Sequence, residues 1–133
     1  MQNQVKKKNF LFAADFHNNR IDVFDSAYHP VAAASLFKDR HAPQGFAPFN
    51  IAAINGRLFV SYAKQDADKH DDVGAPGNGF IDEFSTAGKF MKRFASGTAT
   101  GGRLTALNSP WGMTIAPSSF GKFASEAATT PRA

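Results

Sequence analysis

Short apolar runs broken by turn residues organise this chain, and their period is that of strands. NFLFAAD (9–15) and RIDVFDS (20–26) are rich in Phe, Val and Ile and are separated by FHNN. In the second run Ile21, Val23 and Phe24 approximate strand alternation around Asp22. FNIAAI (49–54) and RLFVSYA (57–63) flank Asn55-Gly56. Asn-Gly between two apolar runs is a strong hairpin signal, because a type I′ turn needs positive φ at both central residues. GFIDEFST (79–86) and KFMKRFA (89–95) flank Ala87-Gly88. Phe80, Asp82 and Phe84 share one face there, and Ile81 and Glu83 the other. Phe90 and Phe94 alternate with charged neighbours, as a half-exposed outer strand would. Helical periodicity is weak throughout, SSFGKFASEAA being its best candidate.

The runs repeat. Leu11-Phe12 matches Leu58-Phe59 at an offset of 47, and N-x-x-I-D-x-F at Asn18–Phe24 matches Asn78–Phe84 at an offset of 60. APFNIAAI (47–54) then pairs with SPWGMTIA (109–116) at an offset of 62. The offsets agree if the second copy holds an insertion of about 13 residues, within KQDADKHDDVGAPGNGF (64–80). Without it the period is near that of four-stranded propeller blades, roughly 40–50 residues. The predicted unit is an antiparallel meander with strands a at 49–54, b at 57–63, c at 79–86 and d at 89–95. The first copy begins at its strand b (10–15), continues to c (20–25) and ends on d near 31–37. The third begins at Pro110. The expected organisation is a basic N-terminal tail at 1–9, a propeller fragment at 10–117 and an atypical, disordered tail at 118–133. Within the fragment lie a partial blade at 10–37, a full blade at 48–97 and the start of another at 110–117.

The unit PFNIAAINGRLFVSYA followed by GFIDEFSTAG resembles NHL-type propeller repeats. The resemblance extends to a family of uncharacterised NHL-like propeller proteins, some with a PEP-CTERM surface-sorting tail. It is carried by LFAADFHNNRIDVFDS, by the stretch from GFAPFNIAAI to FMKRFASG, and by LNSPWGMTIAPSSFGKF, together about 10–123. It implies an all-β propeller architecture, and the count of repeats makes this chain an incomplete β-propeller of about two four-stranded antiparallel blades. It also implies that full-length members are exported or at the cell surface, and it implies no established activity. Two departures stand out. ASEAATTPRA replaces the next expected strand, which reads as a truncated or frame-shifted end. GTATGGRLTALNSP adds Gly and Thr before the third copy, as a tolerated loop insertion would.

Composition narrows the function. The chain has 133 residues, room for one domain, and its 43% apolar content is that of a globular protein. Its 14 Phe suit sheet cores. The net charge of +4 is modest, and Lys6-Lys7-Lys8 reads as a solvated tail. The other basic residues are scattered and no aromatic-rich RNA-binding strand accompanies them, so nucleic acid is not an expected partner. The absence of cysteine excludes disulfides, thiol catalysis and Cys-ligated zinc. FLFAADF breaks at Asp15, too early for a signal peptide, and no run approaches the roughly 20 apolar residues of a membrane helix.

In an up-and-down blade the b–c and d–a loops emerge on one face. DFHNN (15–19), the 64–79 insertion, HAPQGFAP (41–48) and TALNSPW (105–111) are therefore expected to share it, opposite the tight turns at Asn55-Gly56 and Thr86-Ala87-Gly88. Long loops gathered on one face are where binding sites usually sit. The ligand or partner face is predicted to include His17, Asn18, Phe49, Asn50 and Trp111. Phe49 and Trp111 occupy equivalent positions after a proline, suited to lining a mouth or, as we expect, to packing between blades.

Asp66, Asp68, Asp71 and Asp72 offer oxygen ligands suited to Ca²⁺, with His70 beside them. DADKHDDVGAPG fails the EF-hand template, having Asp71 at its sixth position and Gly77 at its twelfth. The competing reading is a solvated loop punctuated by Gly and Pro turns. A metal-dependent lactonase reading would use Asp15, Asn18 and Asn50 at strand ends with His17 as general base. Asn50, however, aligns with Gly112, so no ring of equivalent ligands recurs. Asp82 and Glu83 point to opposite faces and are not an acid/base pair. No nucleophile elbow, HExxH or P-loop is present. The expected role is binding or scaffolding of a protein or small ligand through the loop-rich face. The alternatives are part of a lactonase-like hydrolase, or a truncated product without function whose open blade edges self-associate.

Overall fold

The computed structural model describes residues 8–96, 107–120 and 127–131, and among them the fold is all-β. Three antiparallel sheets follow one another along the chain. The first joins β1 (Leu11–Asp15), β2 (Arg20–Phe24) and β3 (Pro30–Val31). The second joins β4 (Phe46–Ile54), β5 (Arg57–Lys64), β6 (Gly79–Phe84) and β7 (Phe90–Ser96) in sequence order. The third pairs β8 (Pro110–Ile115) with β9 (Ala127–Pro131). A 3₁₀ turn at Ser118–Phe120 follows β8. Among the described residues no helix is long and apolar enough to cross a membrane. Most of the basic run, and the Gly- and Thr-rich stretch at 97–106, lie outside the described residues.

The Asn55-Gly56 turn has φ of 48° and 73°, the doubly positive pair of a type I′ hairpin. β4 and β5 pair from Phe46↔Lys64 to Ile54↔Arg57, with a bulge between Pro48 and Asn50. Proline cannot donate to a ladder, and the bulge leaves Phe49 as the extra, unpaired residue. The same irregularity recurs between Pro110 and Gly112, which makes Trp111 the equivalent residue.

The two faces of the central sheet are both covered. Leu58, Val60, Tyr62, Phe80 and Phe84 pack against Ile21 and Val23 of the first sheet in one apolar core. Cross-strand pairs Leu58↔Phe84 and Tyr62↔Phe80 keep these residues on one face. Ile81 and Ser61 lie on the other face and are fully buried on the side of β8. β5 is consequently buried along almost its whole length. Gly79 is where β8 comes nearest: a Cβ there would collide with the Pro110 ring.

The predicted fourth strand of the first copy, 31–37, ends at Val31. Its three consecutive alanines have weak strand preference. The backbone turns instead, with Leu36 N donating to Ala33 O at 2.9 Å and Phe37 at a φ of 55°. Phe37 is thereby driven between the sheets, its ring 5.5 Å from Phe12 and 5.3 Å from Phe84. The 118–133 segment, read from sequence as lacking strand character, supplies β9 against β8.

Candidate functional site

Four loops meet at one end of the sheets, joined by bonds between residues far apart in sequence. Gln65 N donates to Gly45 O at 2.8 Å, and Gln65 Nε2 to Phe16 O at 2.6 Å. Gly77 N donates to Leu107 O at 3.1 Å, and Ser109 N to Asn78 O at 3.2 Å. The insertion therefore touches the 16–19 turn on one side and the 107–109 segment on the other. The tight turns at Asn55-Gly56 and Ser85–Gly88 lie at the opposite end of the central sheet.

Asp15, at the end of β1, shapes the first loop. Its carboxylate accepts from Asn18 N at 3.1 Å and Asn18 Nδ2 at 2.8 Å, and pairs with Arg20 at 3.2 Å. Desolvation opposes ionisation of Asp15, but the Asn18 bonds and the Arg20 and His17 charges outweigh it and hold the carboxyl below its usual 3.8. Asn18 is thus a structural brace of the turn. His17 is exposed, and its Nδ1 lies 3.1 Å from Lys69 O in the insertion.

The insertion is ordered by its own aspartates. Asp66 N donates to Asp71 O at 2.9 Å, Asp66 O accepts from Lys69 N at 3.2 Å, and Asp66 Oδ1 accepts from His70 N at 2.9 Å. Asp71 Oδ1 accepts from Asp72 N at 2.9 Å, and Asp72 bridges to Gln65 across the loop base. Asp68 is exposed at the tip. The structure does not bring Asp66, Asp68, Asp71 and Asp72 together as one ligand set. Among the described residues no group of three or more His, Cys, Asp or Glu could hold a metal ion. The Asp66 and Asp71 carboxylates cap turns, as short acidic side chains commonly do.

Phe49 and Trp111 diverge despite their equivalent bulges. Phe49 packs on Phe16 with ring centroids 5.3 Å apart, as expected of an aromatic between units. Trp111, for which packing was also expected, is 56% exposed. Asn50 faces no open site: its Nδ2 donates to Trp111 O at 2.6 Å and its Oδ1 accepts from Ile51 N at 2.9 Å.

The sequence reading missed a buried charge cluster. Arg93 Nε donates to Asp82 Oδ1 and Arg93 Nη2 to Asp39 Oδ2, each at 2.5 Å, with both aspartate side chains almost fully buried. The guanidinium lies 3.9 Å from the Phe80 ring centroid. Burial pushes the Asp82 carboxyl up to about 7; Arg93 opposes this and the second carboxylate, Asp39, adds to it. Burial, with Asp82 and Asp39 adding, likewise raises the Tyr62 phenol. A cavity of about 280 Å³ lined by Asn19, Asp39, Phe46, Pro48 and Tyr62 opens beside the cluster. An Asp at a core-facing register between Phe80 and Phe84 was the signal available. Its partner was hidden by a bulge that sets Arg93 opposite Asp82.

With this geometry in view, three relatives can be compared, all uncharacterized proteins of Acanthamoeba polyphaga mimivirus. One is 32% identical over 115 residues, covering 84% of this chain and 20% of that protein. A second is 33% identical over 117 residues, covering 85% and 29%. A third is 32% identical over 111 residues, covering 80% and 26%. The chain therefore spans under a third of the length of the curated relatives it matches. No family model matches it, and no solved structure matches it significantly.

Proposed function

We propose that the chain forms part of a β-propeller with NHL-like blades and acts as a binding or scaffold unit through its loop-rich end. In this reading the four-stranded sheet is one blade, the three-stranded sheet most of its neighbour, and β8–β9 the start of the next. Two features support the architecture. The central sheet buries opposite faces against the sheets before and after it. The proline-aromatic bulge recurs at Phe49 and Trp111.

The observation that carries the binding role is the set of cross-loop bonds at one end, from Phe16 through Gln65 and Gly77 to Leu107. Ordering several loops against one another lowers the entropic cost of engaging a partner. The occupant in this reading is a protein segment or small ligand. Amide-resolved mapping of a small-molecule fragment library onto the chain tests it. Perturbed amides are expected in 16–19, 65–78 and 107–111. Perturbations centred on 55–56 and 86–88 would overturn the proposal.

A further inference from the structure

His17 and His70 come from different loops, yet their rings lie 5.0 Å apart between centroids. Both are exposed. Lys69 O can only accept, so His17 Nδ1 carries the proton in its 3.1 Å hydrogen bond to that carbonyl. The lone pair of the neutral ring is then on Nε2. A ring N–H anchored on a backbone carbonyl, with the other nitrogen left as a donor atom, is the usual arrangement of a metal-binding histidine.

The surroundings hold the backbone at both histidines, and the carbonyl of Lys69 holds the His17 ring. Gln65 Nε2 donates to Phe16 O at 2.6 Å and reaches His17 O at 3.4 Å, fixing the 16–17 backbone against the insertion. Asp66 Oδ1 accepts from His70 N at 2.9 Å, which fixes the backbone beside the second ring. Lys69 takes a φ of 59°, a left-handed conformation that accompanies presentation of its carbonyl to His17. A ligand distance of about 2.0–2.1 Å and a tetrahedral angle place two coordinated imidazole centroids about 5 Å apart.

We propose that His17 and His70 form a two-imidazole site for a late first-row divalent ion such as Zn²⁺ or Ni²⁺. Imidazole donors suit these ions, whereas Ca²⁺ prefers oxygen. Water completes the coordination, since no third protein ligand joins the pair among the described residues. Asp66 is a positioning residue here. The inference goes beyond the binding role proposed above and stands whether or not a partner engages this end.

The test is calorimetric titration of the 133-residue chain with Zn²⁺ alone, and separately with Ca²⁺ alone. One Zn²⁺ is expected to bind per chain. His17→Ala and His70→Ala should each weaken binding at least tenfold, and His29→Ala should leave it unchanged. A chain that takes no Zn²⁺, or one whose binding survives both substitutions, overturns the proposal. A second measurement uses the unsubstituted chain: Zn²⁺ should slow diethyl pyrocarbonate modification of His17 and His70 while His29 and His41 react as before. Equal rates at all four with and without Zn²⁺ would also overturn it.

Discussion

The side-chain amide of Asn50 donates to the main-chain carbonyl of Trp111 at 2.6 Å, tying the first strand of the central sheet to the first strand of the next. The same side chain accepts from Ile51 N. Asn50→Ala removes both bonds and should cost about 1–3 kcal/mol, measured by urea unfolding. Trp111 contributes its carbonyl to this tie, and its ring is exposed. Trp111→Ala should therefore change stability by only about 0.5 kcal/mol.

Gly79 sits where β6 meets β8, and an added Cβ would run into the buried Pro110 ring. A proline ring in a strand backbone has little room to move aside. Gly79→Ala should destabilise the chain by about 1–3 kcal/mol through overpacking, read as a lowered urea midpoint. An unchanged midpoint would mean that β8 does not approach this closely.

The Asp82 carboxyl, raised to about 7 by burial, sets a pH dependence of definite sign. Between about pH 4 and 7 the folded chain keeps a proton that the unfolded chain releases. The stability this group contributes is full below about pH 4 and is lost as pH rises through about 7. Asp82→Asn removes that loss. Its stability relative to the wild type should increase from pH 4 to pH 8 in a series of urea titrations.

Arg93 is the only cation bonded to either Asp39 or Asp82 among the described residues, apart from the exposed His41 ring 3.8 Å from Asp39. Arg93→Ala leaves two buried carboxylates without it. Loss of one partner from such a buried pair costs about 3–5 kcal/mol. The variant should lose that stability at pH 8 and recover part of it in mild acid, where the Asp82 carboxyl can take up a proton.

Much of the strand framework was legible in the sequence, for reasons particular residues make plain. Asn55-Gly56 fixed one hairpin through its backbone requirement, and the repeated I-D-x-F identified β2 and β6 as equivalent strands. The shared end of the loops followed from antiparallel geometry alone. Three things were not legible. Phe37 looked like the end of a strand because alternation cannot reveal a chain reversal that drives a side chain between sheets. Asp82 looked unremarkable because its partners, Arg93 and Asp39, are reached through a bulge and a remote loop. Asp66 and Asp71 looked like ligands because composition does not distinguish a carboxylate that caps a turn from one that awaits a metal.

Amide hydrogen exchange reports whether the four loops form one ordered surface. Gln65, Gly77 and Ser109 donate to carbonyls in other loops. Their amides should exchange slowly, with protection approaching that of β5, as bonded amides in an ordered unit do. Exchange of these three amides at the rate of an unstructured chain, with β5 still protected, would mean that the loops do not form one ordered surface.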